Sequence, residues 1–122
     1  MAKIAPPSFE ESFSRQPPVA DCPLIDRDQA EELTRLFKVF ANDTRLRLLH
    51  ALVREGEVRV SDLAERVEMK PQAVSNQLQR LVDRGILGSR REGNNIFYRI
   101  ADPCVPVLLE RGLCLIECCP ES

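Results

Sequence analysis

Between positions 28 and 84 apolar residues recur three or four apart, and the recurrence is interrupted by residues that start or stop helices. A stripe of that period lies along one side of an α-helix, so such a chain buries it only by packing several short helices together. Ala30, Leu33, Phe37 and Phe40 mark a first helix that ends near Ala41. Asn42-Asp43-Thr44 supplies capping side chains for a second, with Leu46, Leu49 and Val53 on one stripe, and Gly56 stops it. Ser61 reads as the N-cap of a third helix, with Leu63, Ala64 and Val67 facing inward, and that helix ends at Met69-Lys70-Pro71. Pro71 suits the first position of a fourth helix, where its missing N–H has no intrahelical partner to lose. Gly85 then offers the left-handed conformation that ends it after Arg84.

The fourth helix is divided lengthwise. Val74, Leu78, Leu81 and Val82 form its apolar face, and Gln72, Ser75, Asn76 and Gln79 fall opposite. Two strand-like runs follow, 86–90 and 96–100, joined by Arg91-Glu92-Gly93-Asn94-Asn95, whose Gly and Asn residues tolerate positive φ. They predict a hairpin with a basic tip. A last segment, 102–119, carries Val105, Leu108, Leu109, Leu113 and Ile116, too many apolar residues for a solvated tail, and reads as an amphipathic helix that needs a cover. Before the first helix, Pro6, Pro7, Pro17, Pro18 and Pro23 interrupt backbone hydrogen bonding, so residues 1–26 read as a flexible arm. The expected fold is mainly α with a two-stranded β wing, divided into the arm, a DNA-binding domain over 27–101 and a terminal helix over 102–122 that holds a cysteine cluster. A chain of 122 residues suits one such domain.

The net charge of −2 argues against general attraction to nucleic acid, but its distribution does not. Residues 59–99 hold eight basic side chains against five acidic ones, a local +3 that leaves −5 for the remainder. Helix, short turn, polar-faced helix and basic hairpin, in that order, describe a winged helix-turn-helix. A helix fits the major groove, where side chains must donate and accept to tell base edges apart, as Gln72, Ser75, Asn76 and Gln79 do. Arg90 and Arg91 on the hairpin, with Lys70 and Arg80, are the expected phosphate contacts. Any one of these polar residues alone would read as an ordinary solvated face; the ordered combination carries the assignment.

The runs Phe40-Ala41-Asn42-Asp43-Thr44-Arg45-Leu46-Arg47-Leu48-Leu49, Val60-Ser61-Asp62-Leu63-Ala64, Ala73-Val74-Ser75-Asn76-Gln77-Leu78, Gly85-Ile86-Leu87 and Arg91-Glu92-Gly93-Asn94-Asn95-Ile96-Phe97-Tyr98 resemble the ArsR/SmtB family of metal-responsive repressors. The resemblance spans roughly 31–102. It implies a homodimer built from the first and last helices, an operator occupied by the apo dimer, and release by an effector ion.

Departures from the family pattern narrow the effector site. Where several thiolate-sensing members carry Cys-Val-Cys at the third helix, this chain has Arg59-Val60-Ser61. Where others bind zinc between terminal helices, Asp102 matches the Asp, Cys104 replaces the first His, Leu115 occupies the second and Cys118 falls at the acidic position. Cys114 precedes Cys118 by one turn, so both sulfurs share a face. In an antiparallel pairing of terminal helices, Cys104 of one chain would approach Cys114 and Cys118 of the other. Cys119 is an alternative ligand if the helix frays at Pro120, and Cys22 on the arm is a further one. Thiolates select soft or borderline ions such as Cd(II), Pb(II), Hg(II), Zn(II) or trivalent arsenic. The single histidine, His50, argues against Ni(II) and Co(II).

The chain start lacks the apolar stretch of a secretory signal, and no window approaches a bilayer span, so a cytosolic protein with reduced thiols is expected. A free cysteine is commonly a small buried hydrophobe, and a pair that bridges on oxidation would instead make a redox or persulfide sensor. An enzyme is not expected. His50, the only histidine base for a nucleophilic thiol, sits at helical spacing from Leu46 on what reads as a core-facing stripe.

Overall fold

The carboxylate of Asp26 accepts the backbone N–H of Gln29 at 2.8 Å while the Gln29 side chain accepts the N–H of Asp26 at 3.0 Å. This reciprocal cap, worth about 0.5–2 kcal/mol, opens the first helix. In the computed structural model, which describes residues 18–116, helix α1 spans Arg27–Phe40, α2 Asp43–Glu55, α3 Val60–Val67, α4 Pro71–Asp83 and α5 Cys104–Leu115. Strands β1 (Val58–Arg59), β2 (Leu87–Glu92) and β3 (Asn95–Ile100) form one antiparallel sheet in the order β1-β3-β2.

The core lies between α2, α3, α4 and the sheet. Leu48, Leu49 and Leu52 of α2, Leu63 of α3, Val74, Leu78 and Leu81 of α4 and Tyr98 of β3 are all fully buried. Removing one such leucine to alanine costs about 2–5 kcal/mol. The expected stripe of α2 is therefore displaced: Leu49 is inside, but Leu46 and Val53 are largely open, and Leu48 and Leu52 take their place. The period is helical as expected. Because α2 touches α3, β3 and α5, its buried arc is broader than one stripe.

Three boundaries also differ from expectation. Ser61 is not a cap: α3 begins at Val60, directly as the chain leaves β1, with Arg59 at the N-cap making no side-chain cap and instead pairing with Asp62 at 3.3 Å. The wing has a third strand, since Val58 and Arg59 pair with Tyr98 and Phe97 of β3. The hairpin is tighter, with Arg91, Glu92 and Asn95 inside the ladder and only Gly93-Asn94 turning. Gly93, at φ 64°, is the residue that turn requires. Gly85 takes the expected left-handed stop at φ 79°. Between α3 and α4, Glu68 adopts φ 57°, a conformation that costs a side-chain-bearing residue about 1–2 kcal/mol.

Of the expected arm, residues 1–17 lie outside the described residues. Residues 18–26 contain a 3-10 turn at Val19–Asp21, and the Cys22 thiol donates to the Pro18 carbonyl at 3.4 Å. The terminal helix starts at Cys104 rather than at Asp102, whose carboxylate accepts the Cys104 N–H at 2.8 Å. The remainder of its expected span, including Cys118 and Cys119, falls outside the described residues. No helix among the described residues is long and apolar enough to cross a membrane.

Candidate functional site

Helix α4 buries Val74, Leu78 and Leu81, and this fixes which residues it turns outward. Gln72, Asn76 and Gln79 are exposed and Ser75 is half-buried beside them. The outward side chains are already paired along the helix: Gln72 Nε2 donates to Asn76 Oδ1 at 3.1 Å, and Gln79 Nε2 donates to Asp83 Oδ1 at 3.0 Å. Their remaining donors and acceptors face solvent. Lys70, at the N-cap, and Arg80, in the last turn, are exposed at either end.

The two arginines of the wing have different surroundings. Arg91 is exposed. Arg90 donates from Nε to Glu57 at 3.0 Å and from Nη1 to Glu92 at 3.1 Å, and its guanidinium lies 4.5 Å over the Phe97 ring. Hydrogen bonds to Glu57 first, and to Glu92 second, hold its charge on even more firmly than usual. Arg90, the expected phosphate contact, thus also braces the wing against the β1 approach while its side chain stays 39% exposed. Neighbouring Gly88 leaves room for the Arg99 guanidinium, which a Cβ there would meet at 2.7 Å.

None of the described cysteines is the small buried hydrophobe that a lone cysteine commonly becomes: Cys22, Cys104 and Cys114 are exposed. Cys104 lies at the mouth of an apolar trough of 550 Å³, with Leu36, Phe37, Leu108, Asp102 and Arg111 among its lining residues. Partial burial there, followed by the Asp102 carboxylate, pushes the Cys104 thiol upward. Ten residues of helix separate Cys104 from Cys114, about 15 Å at a rise of about 1.5 Å per residue, so the two cannot share an ion within one chain. No group of three His, Cys, Asp or Glu that could hold an ion occurs among the described residues.

A second trough, of 640 Å³, lies between α1, α2 and α5, with Phe37, Leu46, Leu109, Leu113 and Ile116 among its lining residues. Leu33 (40% exposed), Phe37 (48%) and Leu108 (37%) leave this whole face uncovered. His50 lies here too, exposed at the trough rather than turned to the core. Two further residues were missed in the sequence because their partners are remote. Arg45 bonds Gln77 of α4 and Val39 of α1, and Glu55 forms a two-bond ion pair with Arg66 that lowers the carboxyl pKa.

Residues 42–94, from α2 to the wing turn, match the MarR_2 model of the MarR family. The crystal structure of the AntR antimony-specific transcriptional repressor is 65% identical, covering 84% of this chain and 92% of its own, with a TM-score of 0.74. A solution structure of a homodimeric winged helix-turn-helix DNA-binding domain from Mycobacterium bovis, a possible ArsR-family regulator, is 32% identical over 79% of this chain and 90% of its own, with a TM-score of 0.65. The transcriptional repressor SmtB homolog of Synechocystis sp. is 31% identical, with 84% of this chain and 86% of that protein covered. The chain belongs to the ArsR/SmtB family of winged helix-turn-helix transcriptional regulators.

Proposed function

We propose that this protein is a cytosolic, homodimeric repressor that leaves its operator when a trivalent metalloid, antimony or arsenic, is bound by Cys104 of one copy with Cys114 and Cys118 of the other. The observation that carries the reading is the placement of two exposed thiols at opposite ends of α5, beside an apolar face with no cover in the monomer. A second copy laid antiparallel on that face brings the start of one α5 to the end of the other. Identity of 65% with an antimony-specific repressor supports a metalloid among the soft ions that thiolates select. Cys119 and Cys22 stand as further ligands. On the DNA side, Gln72, Ser75, Asn76 and Gln79 read base edges, while Lys70, Arg80 and Arg91 meet phosphates.

Release follows from geometry. A ligand set split between two copies forms well in only one relative orientation of the dimer, so ion binding becomes a quaternary preference. If that orientation misaligns two α4 helices that must meet half-sites about one DNA turn apart, ion and operator oppose each other through a coupling free energy. A redox sensor bridging Cys104 to Cys114 within one chain is ruled out by their separation of about 15 Å, against a Cα limit of about 7 Å for a disulfide.

The test is fluorescence anisotropy of an operator selected from random DNA, titrated with antimonite, arsenite and Cd(II). Antimonite should release the parent. Cys104→Ser, Cys114→Ser and Cys118→Ser should keep apo operator affinity within about threefold yet raise the antimonite midpoint at least about tenfold, with a smaller effect for Cys22→Ser. Full release from a Cys114→Ser/Cys118→Ser double variant would refute the site, and indifference of the parent to every ion would refute metal sensing.

A further inference from the structure

We propose that Arg45 is a positioning residue that fixes the angle of the reading helix relative to the dimer axis, and so sets the half-site spacing the protein accepts. Its guanidinium is half-buried where three helices meet. Nε donates to Gln77 Oε1 on α4 at 2.8 Å, and Nη1 donates to the Val39 carbonyl on α1 at 2.9 Å. The Arg45 backbone N–H is itself held by the Asn42 cap at 3.0 Å. The side chain therefore starts from an anchored point on α2 and bridges the other two helices.

The chemistry suits a rigid link. Val39 lies in the last turn of α1, where carbonyls lack intrahelical partners and the helix end is electronegative, so a cation is favoured there. Gln77 is half-buried between exposed Asn76 and fully buried Leu78, so its side chain ties the buried side of α4 while Asn76 stays on the exposed side. A planar guanidinium presents donors at fixed angles to both acceptors at once; a lysine ammonium is a single point on a flexible stem and reaches one or the other. Helix α1 carries Leu33 and Phe37, part of the apolar face left open in one copy, which the proposed dimer would cover. Any tilt of α1 against its partner is passed through Arg45 to α4, instead of being absorbed at the Ala41–Asn42 junction.

The inference rests on the dimer of the proposed function, and spacing tolerance tests it without any effector. The parent's affinity is measured on its selected operator and on the same operator with one base pair inserted between half-sites, which moves one reading helix off its contacts. The parent should lose on the order of 100-fold on the inserted operator. Arg45→Lys and Gln77→Leu should lose about tenfold or less, while Gln77→Glu, which keeps an acceptor for Nε, should retain the parent's penalty. Thermal melting and sedimentation of each variant check folding and assembly, and a merely stabilising role would leave the spacing penalty untouched. A dimeric parent whose folded Arg45→Lys or Gln77→Leu variant keeps the full penalty overturns the inference alone. A parent that sediments as a monomer overturns the dimer reading and this inference with it.

Discussion

Arg90 and Arg91 are adjacent in the wing and carry the same charge, yet their surroundings give them different work. Arg90 has two of its five donors on Glu57 and Glu92 and its plane over Phe97, so a phosphate that engages it shares it with two carboxylates. Arg91 is exposed. Each phosphate contact steepens the dependence of log affinity on log salt by about one unit. Arg91→Ala should therefore flatten that slope by about one and weaken operator and random DNA alike. Arg90→Ala should leave the slope nearly unchanged while weakening the operator through a displaced wing, and Glu57→Gln should reproduce part of the loss. A slope flattened equally by both alanine variants would show Arg90 meeting phosphate as Arg91 does.

At the scale of elements, the helices were legible because their signals are local. Asn42, Gly56, Pro71 and Gly85 each act on backbone within a few residues, and Val74, Leu78 and Leu81 need only the helical period to declare a buried face. What escaped reading was set by partners distant in sequence. Two residues, Val58 and Arg59, are too short to show any period, and only β3, forty positions later, makes them a strand. That pairing moves the start of α3 ahead of Ser61. Leu48 and Leu52 outrank Leu46 and Val53 because α2 is covered from several directions, which the sequence of α2 alone does not tell. The candidate reading residues on α4 emerged where expected, whereas Arg90 joined an ion-pair network that only the folded wing creates. The apolar residues of α1 and α5 yield the prediction at this scale. Phe37→Glu, at a site 48% exposed in one copy, should spare the monomer fold but disrupt assembly, read as a shift from dimer to monomer in sedimentation velocity. Truncation after Ala101 should do the same with added loss of stability, since it also removes buried Val105, worth about 1.5–3 kcal/mol. Folded dimers from both variants would place the interface elsewhere.

For the whole molecule, the division of charge and the division of apolar surface coincide with a division of labour: positive charge gathers on residues 59–99, while α1 and α5 present the uncovered apolar troughs. Cys104 lines one such trough, and partial burial, with the Asp102 carboxylate second, raises its thiol pKa and so favours the protonated sulfur. That proton gives the effector a stoichiometric signature. A divalent cation such as Cd(II) must expel it to solvent, so the affinity gained through Cys104 should rise with pH, by up to about tenfold per unit below the thiol pKa. Antimonous acid brings its own hydroxides; each sulfur–antimony bond forms as a thiol proton and a hydroxide leave together as water, with no net exchange with the buffer. Between about pH 6 and 8 the Cd(II) midpoint should therefore fall with rising pH while the antimonite midpoint stays level. Ionised thiolates would give the opposite pattern, level for Cd(II) and weakening for antimonite. Isothermal calorimetry in two buffers of different ionisation enthalpy counts the same protons directly, and a carboxylate placed beside a thiol thus becomes a means of telling a metalloid acid from a metal cation.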